Sequence, residues 1–216
     1  MSGESRKVIA SRVAITDVWF VMDDSGSMYA QWGDWSGIRY AAALSVLGMM
    51  RRAGGGSAGV IHWGSSAPEG MALGPVGIRR GDRKLKASLT IPDPTLGGND
   101  LPAALRLAGD RIGTPAPERN LLVLVITDGV EAVTKETHAA VARIPEGCVH
   151  MLLVDRSHQC DAQMEAAWRS VAFGSFTRLE SFETSVMAHK LAAVVADSLG
   201  LEGPSPTEGK SQKVRR

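Results

Sequence analysis

Short apolar runs alternate with longer stretches of mixed polarity along most of this chain. The run Ile15–Met22, which ends at Asp23, predicts a buried strand, because strands covered on both faces read as continuous apolar segments. Ala58–Trp63, Leu121–Thr127 and Cys148–Val154 predict three more, Leu121–Thr127 being the clearest. Gly70–Ile78 carries Met71, Leu73 and Val76 in a weaker alternation and predicts an edge strand, and Ser175–Leu179 predicts a last strand. Gly37–Arg52 is rich in Ala, Leu and Met and predicts a long helix, stopped by the glycines of Ala53–Gly56. Further helices are predicted over Asp82–Leu89, Leu101–Ile112, Thr134–Ile144, Asp161–Val171 and Thr184–Leu199. Asp100 and Asp161 stand where N-caps belong, Pro102 falls in a first turn, and Gly200 closes the last helix.

Strand and helix alternate throughout, so the expected class is α/β. The expected architecture is a Rossmann-like open sheet, mostly parallel, with helices on both faces and right-handed crossovers. Residues 1–12 read as an N-terminal extension and 13–200 as one domain. Residues 201–216 are polar, contain Pro and Gly and end in Lys-Val-Arg-Arg, so they read as a disordered basic tail.

Composition narrows the function. With 24 Lys and Arg against 23 Asp and Glu, the net charge is +1, and a broadly basic nucleic-acid-binding surface is not expected. Two cysteines, Cys148 and Cys160, make no disulfide scaffold, and reduced thiols suit a cytoplasmic protein. The first ten residues hold no apolar run of about 7–15 residues of the kind a signal peptide needs. The longest apolar stretches, Ala41–Met50 and Leu121–Ile126, fall short of the roughly 20 residues that cross a bilayer. The expectation is a soluble protein with no membrane partner.

In open α/β sheets, ligands bind beyond the carboxyl ends of the strands, near the point where strand order reverses. Three segments are expected to meet at that edge: Asp23-Asp24-Ser25-Gly26-Ser27, Gly97-Gly98-Asn99-Asp100 and Thr127-Asp128-Gly129. Asp23 and Asp128 bring carboxylates, Ser25 and Ser27 hydroxyls, and Asn99 an amide oxygen. Such a hard oxygen set suits Mg²⁺, Mn²⁺ or Ca²⁺ rather than zinc or copper. Two carboxylates about 4 Å apart repel by about 4 kcal/mol at an effective dielectric of 20, a penalty that a divalent cation removes. Asp24 and Asp100 are read as caps of a turn or a helix.

Asp23-x-Ser25-x-Ser27, the Gly-Gly-Asn-Asp-Leu segment and Thr127-Asp128-Gly129 together resemble the metal-ion-dependent adhesion site of a von Willebrand factor type A (vWA) domain. The resemblance spans roughly residues 13–200. It implies a central sheet with one antiparallel edge strand, here Gly70–Ile78. It also implies a Mg²⁺ held by Asp23, Ser25, Ser27, Asn99 and Asp128, with an open position filled by an Asp or Glu of a protein partner. Asn99 departs from the threonine of the family pattern. The expected function is non-enzymatic: a metal-dependent adaptor within a bacterial multi-protein system, such as one built on a MoxR-type AAA+ ATPase or a stress-response or defence system. Two alternatives stand beside it: a structural assembly subunit with a degenerate metal site, and a Mg²⁺-dependent phosphoryl hydrolase using Asp23. The hydrolase reading lacks a second aspartate, because Ser25 stands where Asp-x-Asp phosphatases place their acid.

Other patterns carry less. Tyr29, Trp32 and Trp35 follow the first motif and are candidates for partner docking, since Trp and Tyr are common hot-spot residues. Their alternative is packing onto the first helix. Trp19 and Trp63 lie within strand patterns and read as core. Gly54-x-Gly56-x-x-Gly59 matches a dinucleotide fingerprint by letter but follows a helix and precedes a strand, the wrong order for a pyrophosphate. Cys148-x-His150 and His158-x-Cys160 mimic zinc ligand pairs, yet a strand of about 16 Å separates them. A buried cysteine and a hydrogen-bonded histidine are expected instead.

Overall fold

The computed structural model describes residues 3–30, 33–92, 96–155, 160–180 and 183–201. The predicted tail lies outside them from residue 202 on. Among the described residues, six strands form one sheet: β1 Thr16–Asp23, β2 Ser57–Trp63, β3 Glu69–Pro75, β4 Asn120–Thr127, β5 Val149–Val154 and β6 Ser175–Leu179. Their order is β3-β2-β1-β4-β5-β6, and every neighbouring pair is parallel except β2 with β3. The antiparallel edge strand is therefore the one the weaker alternation predicts. The same residues form the helices around the sheet: α1 Gly3–Ala14, α2 Ile38–Ala53, α3 Arg79–Ser88, α4 Leu101–Ile112, α5 Lys135–Val141, α6 Ala162–Arg169 and α7 Thr184–Ser198. Among the described residues, no helix is long and apolar enough to cross a membrane.

The two-residue period of β1 sorts its side chains onto two cores. Val18, Phe20 and Met22 pack on one face with residues of α2, α3 and α7, among them Val46, Leu85 and Leu191. Trp19 and Val21 pack on the other with Leu105 of α4, Ala140 of α5 and Trp168 of α6. Trp63 of β2 joins the second core, so both strand tryptophans are buried as expected. Each large apolar side chain buried this way contributes about 1.5–3 kcal/mol.

Two features differ from the sequence expectation. From Gly3 the extension is helical: α1 runs to Ala14, Val13 enters the first core, and Arg12 donates to the carbonyls of Leu199 and Gly200 beyond α7. Asp24, expected as a cap, is instead fully buried and paired with distant side chains, as described below. Asp100 does cap α4, accepting from the Ala103 N–H at 2.9 Å. Cys148 and Cys160 are free thiols. His150 is a buried, hydrogen-bonded core histidine, with Nδ1 at 2.9 Å from Ser175 Oγ and Nε2 at 3.2 Å from Ser198 Oγ.

Candidate metal centre

Chain order reverses between β1 and β4, because β1 leads outward to β2 and β3 on one side while β4, β5 and β6 fill the other. The carboxyl ends of those two central strands deliver Asp23 and Asp128 to the crevice where such folds bind ligands. Asp23 is the last residue of β1 and is completely buried. Its Oδ1 accepts the Ser25 N–H at 2.8 Å, and its Oδ2 accepts the Thr127 hydroxyl at 2.5 Å. Ser25 and Ser27 hydroxyls lie 3.0 Å apart at the start of a 3₁₀ turn, Gly26–Tyr29. Asp128 Oδ1 accepts the Val130 N–H at 3.2 Å, while its Oδ2 is buried and makes no hydrogen bond among the described residues.

Burial, then the nearby charge of Asp128, pushes the Asp23 carboxyl up to about 7. Burial also raises Asp128, against the pull of the Ser27 hydroxyl and the Val130 amide. Glu131, which no motif singled out, belongs to the same field. Its carboxylate accepts the Leu101 N–H at the start of α4 and is pushed up to about 8, by burial first and then by Asp23 and Asp100. Acids held above their ordinary range by burial and by one another's charge are sites where a cation would be stabilised.

The third segment approaches the same edge through backbone contacts with the end of β2. The Ser65 N–H donates to Leu96 O at 2.7 Å and the Asp100 N–H to Gly64 O at 2.8 Å. Gly98 is essential to this approach: its φ is +58°, and a Cβ there would stand 2.7 Å from Ser65 Cα. Asn99, next in the loop, is exposed. Gly98→Ala is expected to cost about 1–3 kcal/mol and to lower the melting temperature by several degrees. Gly26→Ala, where a Cβ meets nothing within 4 Å, should stay within about 2 °C of wild type. Circular dichroism melts of the two variants separate a steric glycine from a tolerant one within the same site.

Behind the crevice lies a second cluster. Asp24 Oδ1 accepts from Arg39 Nη2 at 2.5 Å, from the Tyr29 hydroxyl at 2.9 Å, and from the Tyr40 hydroxyl. Its Oδ2 lies 2.7 Å from His62 Nδ1, whose Nε2 reaches Ser88 O at 2.9 Å. Arg39 also holds Asp34 at 3.0 Å and lies 4.4 Å from the centre of the Tyr40 ring. Burial alone would raise Asp24, but the His62 hydrogen bond and the Arg39 charge outweigh it and keep the carboxyl low. Neighbouring aspartates thus have opposite characters: Asp24 is an anion paired with a cation, and Asp23 is an acid facing another acid.

The docking candidates separate. Tyr29 is half-buried, with its hydroxyl turned into the Asp24 cluster, and Trp35 is 64% exposed. Trp32 lies outside the described residues. Among the described residues, no three His, Cys, Asp or Glu side chains converge on a metal position. The donors at the crevice are two carboxylates and the Ser25 and Ser27 hydroxyls, and among the described residues no hydrogen bond ties the exposed Asn99 side chain to them. That set, with an orphaned carboxylate oxygen, fits a hard divalent cation.

Comparison with known proteins shows the fold. No family model and no curated protein matches the chain. Solved structures do. BatB from Bacteroides thetaiotaomicron shares 17% identity at a TM-score of 0.61, over 86% of this chain and 99% of that one. A von Willebrand factor type A protein from Catenulispora acidiphila shares 17% at 0.59, over 87% of this chain and 43% of that one. The pilus adhesin SpaC from Lactobacillus rhamnosus GG shares 15% at 0.68, over 85% of this chain but only 30% of the adhesin. The mostly parallel sheet with one antiparallel edge strand and helices on both faces is the vWA fold.

Proposed function

We propose that this vWA-like chain is a metal-dependent protein-binding module. Asp23, Ser25 and Ser27 would hold a divalent cation, Mg²⁺ in preference to Mn²⁺ or Ca²⁺, with Asp128 and Asn99 completing the set directly or through water. The cation would supply a positive centre to which a partner's Asp or Glu binds. The observation that carries this reading is the pair of buried carboxylates at the strand-order reversal, one raised to about 7 and the other with an unpartnered buried oxygen. This chain's own part is to hold the donors still: Thr127 and the Ser25 amide fix Asp23, and the Asp24–Arg39 cluster anchors the turn that bears both serines. Exposed Trp35 offers apolar area beside that turn. The setting we favour is a cytoplasmic bacterial multi-protein system linked to a MoxR-type ATPase, to stress response or to defence. Likeness to an aerotolerance-related membrane protein of Bacteroides fragilis supports the stress-response part of that setting.

A pull-down from native lysate tests the reading, run in Mg²⁺, in EDTA and with Asp23→Ala. A partner is expected only with wild type in Mg²⁺. The exposed position of Asn99 favours a second reading, an assembly subunit that does not use the metal. It predicts the same partner in all three conditions and a larger loss on Trp35→Ala than on Asp23→Ala.

A further inference from the structure

The charge of this protein is nearly balanced, but α3 is not. Within Arg79–Ser88 stand five cations, Arg79, Arg80, Arg83, Lys84 and Lys86, and one carboxylate, Asp82. Asp82 is taken by Arg51 of α2, at 3.7 Å. Among the described residues, none of the five cations has an ion-pair partner, and all five are exposed. Six arginines elsewhere, Arg39, Arg111, Arg119, Arg143, Arg169 and Arg178, each meet a carboxylate, and the unpaired cations outside α3 are not gathered five to one helix. Arg79 with Arg83 and Arg80 with Lys84 are like charges four residues apart, a spacing that destabilises a free helix. An anion lying along α3 would reverse that penalty.

Beside these cations runs a groove of about 740 Å³ between α3 and β3. Arg80 and Lys84, on one face of the helix, form one wall, and residues Gly70–Pro75 form the other. Leu73 and Ile78 line it and are 40% and 57% exposed. β3 is the sheet edge, and among the described residues its backbone bonds only to β2 from Glu69 through Gly74. A strand whose outer N–H and C=O groups are unpaired can accept another extended chain. The groove thus combines an open backbone edge, exposed apolar side chains and unpaired positive charge.

We propose that the β3–α3 groove docks an extended acidic segment of a partner protein, with alternating apolar side chains against Leu73 and Ile78 and carboxylates against Arg80 and Lys84. The site is separate from the metal centre and requires no cation. The apolar lining and the strand edge favour a peptide over a nucleic acid or an anionic membrane, which would use the charge alone.

Fluorescence anisotropy with a labelled ten-residue peptide alternating glutamate and valine tests this, in EDTA and in Mg²⁺. Binding is expected in both, weakening as salt rises, with NMR amide shifts concentrated in residues 70–75 and 80–88. Arg80→Glu/Lys84→Glu should weaken binding by about tenfold or more. Arg80→Gln/Lys84→Gln, gentler on the helix, should weaken it less, and Leu73→Ser should weaken it without changing the salt dependence. The proposal is overturned if the peptide fails to bind, if both double variants bind like wild type, or if a polyglutamate peptide of equal length binds equally well. Tighter binding of duplex DNA or phosphatidylserine vesicles also overturns it. Binding that appears only in Mg²⁺ would place the peptide at the metal centre instead, which also overturns this proposal and leaves the metal-dependent reading standing.

Discussion

Replacing Arg39 with methionine is expected to destabilise the fold by about 3–5 kcal/mol, a fall of roughly 6–20 °C in melting temperature for a domain of this size. Arg39 is fully buried between two buried carboxylates, Asp24 and Asp34. Methionine matches much of its volume but removes the charge, leaving both anions in a low-dielectric interior without their cation. Lysine should recover only part of the loss, because one ammonium cannot reach both acids from the guanidinium's fixed fork. Asp24→Asn added to Arg39→Met should cost less than the sum of the single losses, since it removes one stranded charge. An Arg39→Met protein melting within about 2 °C of wild type would mean that the cluster contributes nothing to stability. Because Asp24 stands between Asp23 and Ser25, the variant should also bind Mg²⁺ more weakly, read by the metal concentration needed to raise its melting temperature.

The second large effect is a dependence of stability on pH that metal partly offsets. Asp23 titrates near 7 in the folded chain against an ordinary value of 3.8. Between those limits the folded state keeps a proton that the unfolded state releases, so stability falls as pH rises from about 4 to 7 in EDTA. Each pH unit separating the folded from the unfolded value corresponds to about 1.4 kcal/mol, so the fall amounts to a few kcal/mol. Glu131, raised to about 8, and Asp128, also raised by burial, add to the decline, and Glu131 carries it on to about pH 8. Asp24, held low, acts outside this window: its contribution is lost only as pH drops below the ordinary carboxylate range. Saturating Mg²⁺ acts on the ionised carboxylates and should add about 2.7 kcal/mol at a hundredfold excess over Kd, roughly 5–11 °C, with the gain growing as pH rises. Melts at pH 4.5, 6, 7.5 and 8.5 with and without metal read both effects. Asp23→Asn should make the EDTA profile shallower, leaving the part of the decline that Glu131 and Asp128 contribute, and Asp128→Ala should abolish the Mg²⁺ gain. A flat wild-type profile in EDTA would refute the raised Asp23, and a retained gain in Asp128→Ala would place the metal elsewhere.

The sequence carried the strands and most helices because their signals are local. Leu101–Ile112 and Ser175–Leu179 coincide with α4 and β6, bounded by an N-cap aspartate and by glycines. The convergence of Asp23 with Asp128 was also legible, since strand ends in an alternating α/β chain share one edge. The Asp24 cluster was not. Its partners Arg39 and His62 lie 15 and 38 residues away, on α2 and β2, and nothing local distinguishes a buried aspartate from a turn cap. Glu131 was invisible for a related reason: its character comes from burial and from Asp23 and Asp100, brought near by folding. The helix α1 is not legible because the apolar residues of Gly3–Ala14 are not gathered on one face.

The contact between α1 and the end of α7 has a mechanical consequence. Arg12 clasps the carbonyls of Leu199 and Gly200, so the carboxyl end of α1, which leads into β1, lies beside the end of α7 at the amino-terminal rim of the parallel strands. Tension applied through both ends would first peel α1 and α7 apart at that clasp. The rim with Asp23 and Asp128 lies at the far end of β1 from that clasp. The clasp and the carboxylate crevice thus stand at opposite rims of the sheet, so strain at one is relieved without disturbing the other's donors.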